Sequence, residues 1–118
     1  MTLREVYGRF GGDYDEILGR MMREAQIRKY LLRFPGDESF GKMCRAYEEE
    51  RDAEAFENAH VLKGVCLSLG LGRLTDSVSG LVEALRNGRT PEAPAYYERT
   101  KADYASVTAA IADLDRED

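Results

Sequence analysis

The sequence predicts an all-α protein: an antiparallel up-down four-helix bundle with additional short N-terminal helices. Three observations carry that prediction. Apolar residues recur at spacings of three and four along most of the chain, the period of a helix buried on one side. No alternating run of β-branched residues lasts beyond a few positions. The breaks between periodic segments are short, and helices joined by short loops pack antiparallel to their neighbours. With 118 residues, 43% of them apolar and 33% charged, the chain is expected to form one domain, 1–118, with its own core. The core bundle is expected over about 37–115 and an N-terminal helical cap over about 2–34.

Taken in order, a first helix over residues 2–9 ends at Gly11-Gly12. Asp13 then caps a helix carrying Tyr14, Ile17, Leu18, Met21 and Met22. The spacing resumes, after a break or kink, through Ile27, Tyr30, Leu31 and Phe34, and Pro35-Gly36 stops it. The bundle helices are expected to begin near residues 37, 52, 72 and 91. Asp37 is a capping residue for the first, whose apolar face is Phe40, Met43, Cys44 and Tyr47. Asp52 is the expected N-cap of the second, which runs to about Leu69, with Gly70 as its left-handed stop. Leu74, Val78, Leu81, Val82 and Leu85 form the stripe of the third, closed by Asn87-Gly88. Thr90-Pro91 opens the fourth as a hydroxyl cap followed by proline, and Tyr97, Tyr104, Val107, Ile111 and Leu114 give its apolar side.

Composition excludes several classes of function. The formal net charge is −5, so neither a nucleic-acid backbone nor an anionic membrane surface is an expected partner. Cys44 and Cys66 lie within apolar periodic segments and are expected to be free thiols in a reducing compartment. The opening residues MTLREVYGRFGGDYDE carry charge where a signal peptide needs an apolar run. A cytoplasmic monomer is the expectation.

The chemically informative stretch is NAHVLKGVCLSLG, residues 58–70, which holds His60, the sole histidine. At about 100° per residue, with His60 at zero, Leu62, Val65, Cys66 and Leu69 fall between roughly 140° and 240°. They define a core face opposite His60, so the imidazole is expected to point outward. Lys63 lies one turn on at about −60° and Gly64 at about +40°. Glycine inside a helix costs about 0.5–1 kcal/mol relative to alanine. Open space beside the ring for an approaching group is one explanation for Gly64; packing against another helix is the other. Phe56 and Leu67 share the His60 side, as a docking surface or as cover for the bundle's edge. Glu57, one turn before His60, is either a hydrogen-bonding partner that orients the ring or a solvated carboxylate.

An exposed imidazole can act as a nucleophile, while a neighbouring ammonium neutralises an anion carried on the ring. A phosphoryl group suits that arrangement. GLGR at 70–73 lacks the ending of a phosphate-binding loop and follows no strand. One histidine and two separated cysteines are too few for a structural zinc, so no metal site is expected. No second catalytic group accompanies His60, which disfavours an autonomous hydrolase. Any metal and catalytic machinery would have to come from a partner.

AHVLKGVCLSLGL, residues 59–71, resembles the signature of histidine-containing phosphotransfer (HPt) domains, roughly A-H-x-L-K-G-x-x-x-x-x-G. AFEN before it, RLTDSVSGLVEALRNG after it and FGGDYDEIL upstream are similar to the flanks of such domains. The resemblance implies a four-helix bundle whose second core helix exposes the phospho-accepting histidine. It implies that Nε2 of His60 takes a phosphoryl group from the aspartate of a response-regulator receiver domain and passes it to another receiver. Lys63 would stabilise that group, Gly64 would admit the receiver, and Gly70 would belong to the helix end. The expected partners are receiver domains, with a hybrid histidine kinase as a further candidate. The chain itself would bind no cofactor, Mg²⁺ being held by the receiver. Val65-Cys66-Leu67 depart from the family's pattern by their bulk. The competing expectation is a helical module that docks receivers or kinases without being phosphorylated.

Overall fold

The computed structural model describes residues 1–117, as seven α-helices and one 3-10 turn. They are α1 (Leu3–Arg9), α2 (Tyr14–Met21), α3 (Glu24–Arg33), the 3-10 turn (Phe34–Gly36), α4 (Ser39–Glu48), α5 (Asp52–Leu69), α6 (Arg73–Leu85) and α7 (Ala93–Arg116). No strand occurs among the described residues, only an isolated bridge between Arg86 and Gly88. No helix among them is long and apolar enough to cross a membrane.

The helices α4 to α7 form the all-α bundle. Each packs most heavily on its neighbours in the chain: α4 on α5, α5 on α6, α6 on α7. The ring of four is closed between α4 and α7 by aromatic stacking. Phe40 lies face to face with Tyr104 at 3.6 Å between centroids, and Tyr47 with Tyr97 at 3.8 Å. The interior is aliphatic, with Met43, Leu62, Leu74, Leu81, Leu85 and Leu114 fully buried. Burying a side chain of this kind stabilises by about 1.5–3 kcal/mol. The stripe expected on α6 is buried throughout, from Leu74 to Leu85.

The helix ends follow local chemistry in some places and tertiary contacts in others. Asp13 caps α2, its carboxylate accepting the Glu16 N–H at 3.1 Å. The break after Met21 falls at Met22, in the left-handed region with φ 65°. Asp37 accepts the Ser39 N–H at 2.9 Å, so it serves the first turn of α4 although the helix starts at Ser39. Gly70 closes α5 with φ 65°, the Leu71 N–H donating to Cys66 C=O at 3.1 Å and the Gly70 N–H to Leu67 C=O at 3.3 Å. Two expected caps are corrected. Asp52 is the first helical residue, not the N-cap; its carboxylate is taken by Arg89, with Nη2 at 2.8 Å, and Arg51 holds the N-cap position. Thr90 does not cap α7 either. Its hydroxyl donates to Ala84 C=O at 3.0 Å, and the helix begins three residues later, with Pro94 in its first turn.

The N-terminal helices are tied to the bundle at the end of α5. The Tyr7 hydroxyl, fully buried, donates to Leu69 C=O at 2.7 Å, and burial pushes its pKa up. Arg73 donates through Nη2 to Arg9 C=O at 2.8 Å. The α5–α6 turn and the α1–α2 turn approach so closely that a Cβ on Gly72 would stand 2.1 Å from Gly11 O. Only glycine fits there, at φ 52° and ψ −114°. Arg20, on α2, reaches Leu67 C=O at 2.9 Å.

Tyr7→Phe leaves a buried carbonyl without its donor, which costs about 1–3 kcal/mol. The urea midpoint of unfolding should fall accordingly, with little change in helical signal at zero denaturant.

Candidate functional site

Five residues of α5, Ala55, Ala59, Leu62, Cys66 and Leu69, are buried and form one stripe. That stripe fixes the rotation of the helix about its axis. His60 consequently stands on the far side, exposed, at the middle of the 18-residue helix. The Cys66 thiol points inward, and burial pushes its pKa up to about 12. It is a core residue rather than a ligand or nucleophile.

The two flanks of His60 differ. On the α6 side lies Phe56, its ring centroid 6.2 Å from that of the imidazole and its plane tilted by 23°. Phe56 is half-buried against the core, and Arg86, the C-cap residue of α6, rests over its ring at 5.4 Å. Arg86 is held by Glu83 in a two-point contact, Nη2 at 2.8 Å and Nε at 3.1 Å. This hydrogen bond holds the Glu83 carboxyl below the usual carboxylate range, and the charges of Arg86 and Lys63 act in the same direction. Lys63 is half-buried and forms no ion pair among the described residues. Lys63, one turn from His60, and the Glu83–Arg86 pair at Phe56 thus put two cations and one carboxylate on this flank.

On the other flank a groove of about 600 Å³ opens between α5 and the N-terminal helices. Met21, Tyr30, Phe34, Val61, Gly64 and Val65 line it, with Arg33, Asp37 and Ser68 as its polar members. Val61 is 54% exposed and Tyr30 41%, high values for large apolar side chains. Gly64 sits at the groove's edge, and a Cβ added there would meet nothing within 4 Å. Gly64 therefore packs against no other helix, and the space beside the ring is open to an incoming group.

Of the residues singled out from the sequence, His60, Lys63 and Gly64 come together on the outer side of α5. Leu67 is also there and 52% exposed, while its carbonyl receives Arg20. Phe56 carries Arg86 over its ring and stacks beside the imidazole, so of the two apolar residues only Leu67 stands clear. Glu57 is exposed and makes no hydrogen bond to the ring among the described residues. Four site residues were not singled out: Arg86, Glu83, Val61 and Tyr30. The i, i+3 spacing of Glu83 and Arg86 is a readable ion pair. Which face of α6 meets the His60 side is not readable without the packing. Among the described residues no group of three or more His, Cys, Asp or Glu could hold a metal ion.

A family model described as "Hpt domain" matches residues 16–116. No curated protein and no solved structure matches the chain.

Gly64→Ala removes a glycine from a helix interior without creating a clash. The variant should be more stable by about 0.5–1 kcal/mol, measured by urea unfolding. A loss of stability would mean that Gly64 is needed by the fold rather than by an approaching group.

Proposed function

The chain belongs to the Hpt domain family, and we propose that it is a phosphocarrier in a multistep His–Asp phosphorelay. Family membership implies phosphotransfer in such a relay and interaction with response-regulator receivers. In the reading proposed here, His60 accepts a phosphoryl group from the aspartate of one receiver domain and passes it to another. The supporting observation is the outward His60 at the centre of α5, with an unobstructed glycine one turn away.

The imidazole Nε2 lone pair attacks phosphorus in line with the acyl phosphate oxygen. The Nε2–P bond forms as the P–O bond to the aspartyl carbonyl breaks, and the aspartate leaves as a carboxylate. The ring proton stays on Nδ1. Transfer onward is the reverse step on a second receiver. Phosphoryl transfer demands positioning and charge neutralisation more than covalent assistance, so few residues of the carrier are needed. Lys63 supplies positive charge to the phosphoryl oxygens without accepting a proton from the ring. Gly64 lets the receiver bring its aspartate up to the helix. The receiver contributes Mg²⁺, and the carrier acts as a stoichiometric intermediate rather than a turnover enzyme. The groove lined by Val61 and Tyr30, together with Leu67, offers apolar surface on which the receiver can dock.

Incubation with a phosphorylated receiver and Mg²⁺ should produce one phosphoryl adduct by intact mass, acid-labile, base-stable and absent from His60→Gln. Lys63→Ala should slow transfer by roughly three- to tenfold, with the effect shrinking at high salt. Val61→Asp should weaken receiver binding by about tenfold while leaving the fold intact. A His60→Gln protein that keeps full downstream function would instead favour a docking module that is never phosphorylated.

A further inference from the structure

A carboxylate paired with the arginine that covers Phe56, the ring stacked beside His60, is unexpected on the flank of a site that receives a phosphoryl dianion. Glu83 engages two nitrogens of Arg86, at 2.8 and 3.1 Å, and thereby fills one edge of the guanidinium fork. That edge matches the oxygens of a phosphoryl group as well as those of a carboxylate, and cannot hold both at once. Arg86 is already on the His60 side: its guanidinium lies 5.4 Å above the Phe56 ring, and that ring is 6.2 Å from the imidazole. Both partners of the ion pair are on the surface, with side chains 47% and 62% exposed, so exchange of one anion for another requires no rearrangement of the core. Lys63, the other cation of this flank, forms no ion pair among the described residues.

We propose that Glu83 competes with the phosphoryl group for Arg86 and opposes the phosphorylated state of His60. On phosphorylation Arg86 turns from the carboxylate to the phosphoryl oxygens, and Glu83 is left as an unneutralised negative charge nearby. The carboxylate thus acts through the cation and tilts the carrier toward giving the group up. This inference rests on the phosphocarrier reading above.

The test is the equilibrium distribution of label between the 118-residue chain and a receiver supplied as its phosphorylated form with Mg²⁺. The ratio of phosphohistidine to phosphoaspartate depends only on the free energies of the separated proteins, so it does not report on docking. The transfer is balanced: one Nε2–P bond forms for each aspartyl P–O bond broken. Glu83→Gln should move the ratio toward phosphohistidine by about threefold, the effect of one unit charge at several ångströms in a water-like medium. Arg86→Gln should move it in the opposite direction. Both shifts should shrink as ionic strength rises. An unchanged ratio in Glu83→Gln, or a shift toward the receiver, overturns the competition while leaving the phosphocarrier reading standing. Absence of any adduct on the unmodified protein overturns that reading instead.

Discussion

The burial of one stripe of α5 decides where its other side points. Ala55, Ala59, Leu62, Cys66 and Leu69 are buried, and a rigid helix cannot turn them inward without turning His60 outward. The exposed imidazole is therefore a consequence of core packing. Exposing those five side chains to turn the ring inward would forfeit the larger part of what α5 contributes to the core, since each large aliphatic side chain is worth about 1.5–3 kcal/mol. The position of the ring needs no dedicated hydrogen bond when the whole helix serves as its mount.

The surroundings of the ring come from different parts of the fold. One flank is supplied by α6, through Arg86 and Glu83, and is charged. The other is supplied by α2 and α3, through Met21 and Tyr30, and is apolar. The second flank depends on how the N-terminal helices are held. Tyr7 bonds the carbonyl of Leu69, Arg20 bonds that of Leu67, and Gly72 admits the α1–α2 turn at a distance no larger residue allows. The contacts of Tyr7 and Arg20 use carbonyls in the last turn of α5, where a helix lacks its regular internal donors. The end of the acceptor helix thus anchors the segment that builds one wall of its groove.

The helix ends separate what is local from what is not. Asp13 and Gly70 act as their residue types suggest, because the groups they satisfy lie within a few positions in the chain. Asp52 and Thr90 have the chemistry of caps but are engaged elsewhere. Arg89, thirty-seven positions from Asp52, holds its carboxylate, and Thr90 bonds back to the last turn of α6. A capping hydrogen bond is worth about 1 kcal/mol, so a competing long-range partner can displace it. Phe56 follows the same logic: its place on the helical wheel is correct, yet Arg86 covers one face of its ring.

From sequence alone came the all-α class, the helices and their apolar faces, and the outward placement of His60 beside Lys63 and Gly64. Each depends on the 3.6-residue period or on a group's near neighbours, and both are written in one dimension. Tertiary structure alone brought Arg86 and Glu83 to one side of the ring and Val61 with Tyr30 to the other. It also answered the question about Gly64, by leaving the space around it empty. Those outcomes depend on how each helix is rotated and on which neighbour it meets. Side chains from the whole core settle that rotation jointly, so no single segment encodes it.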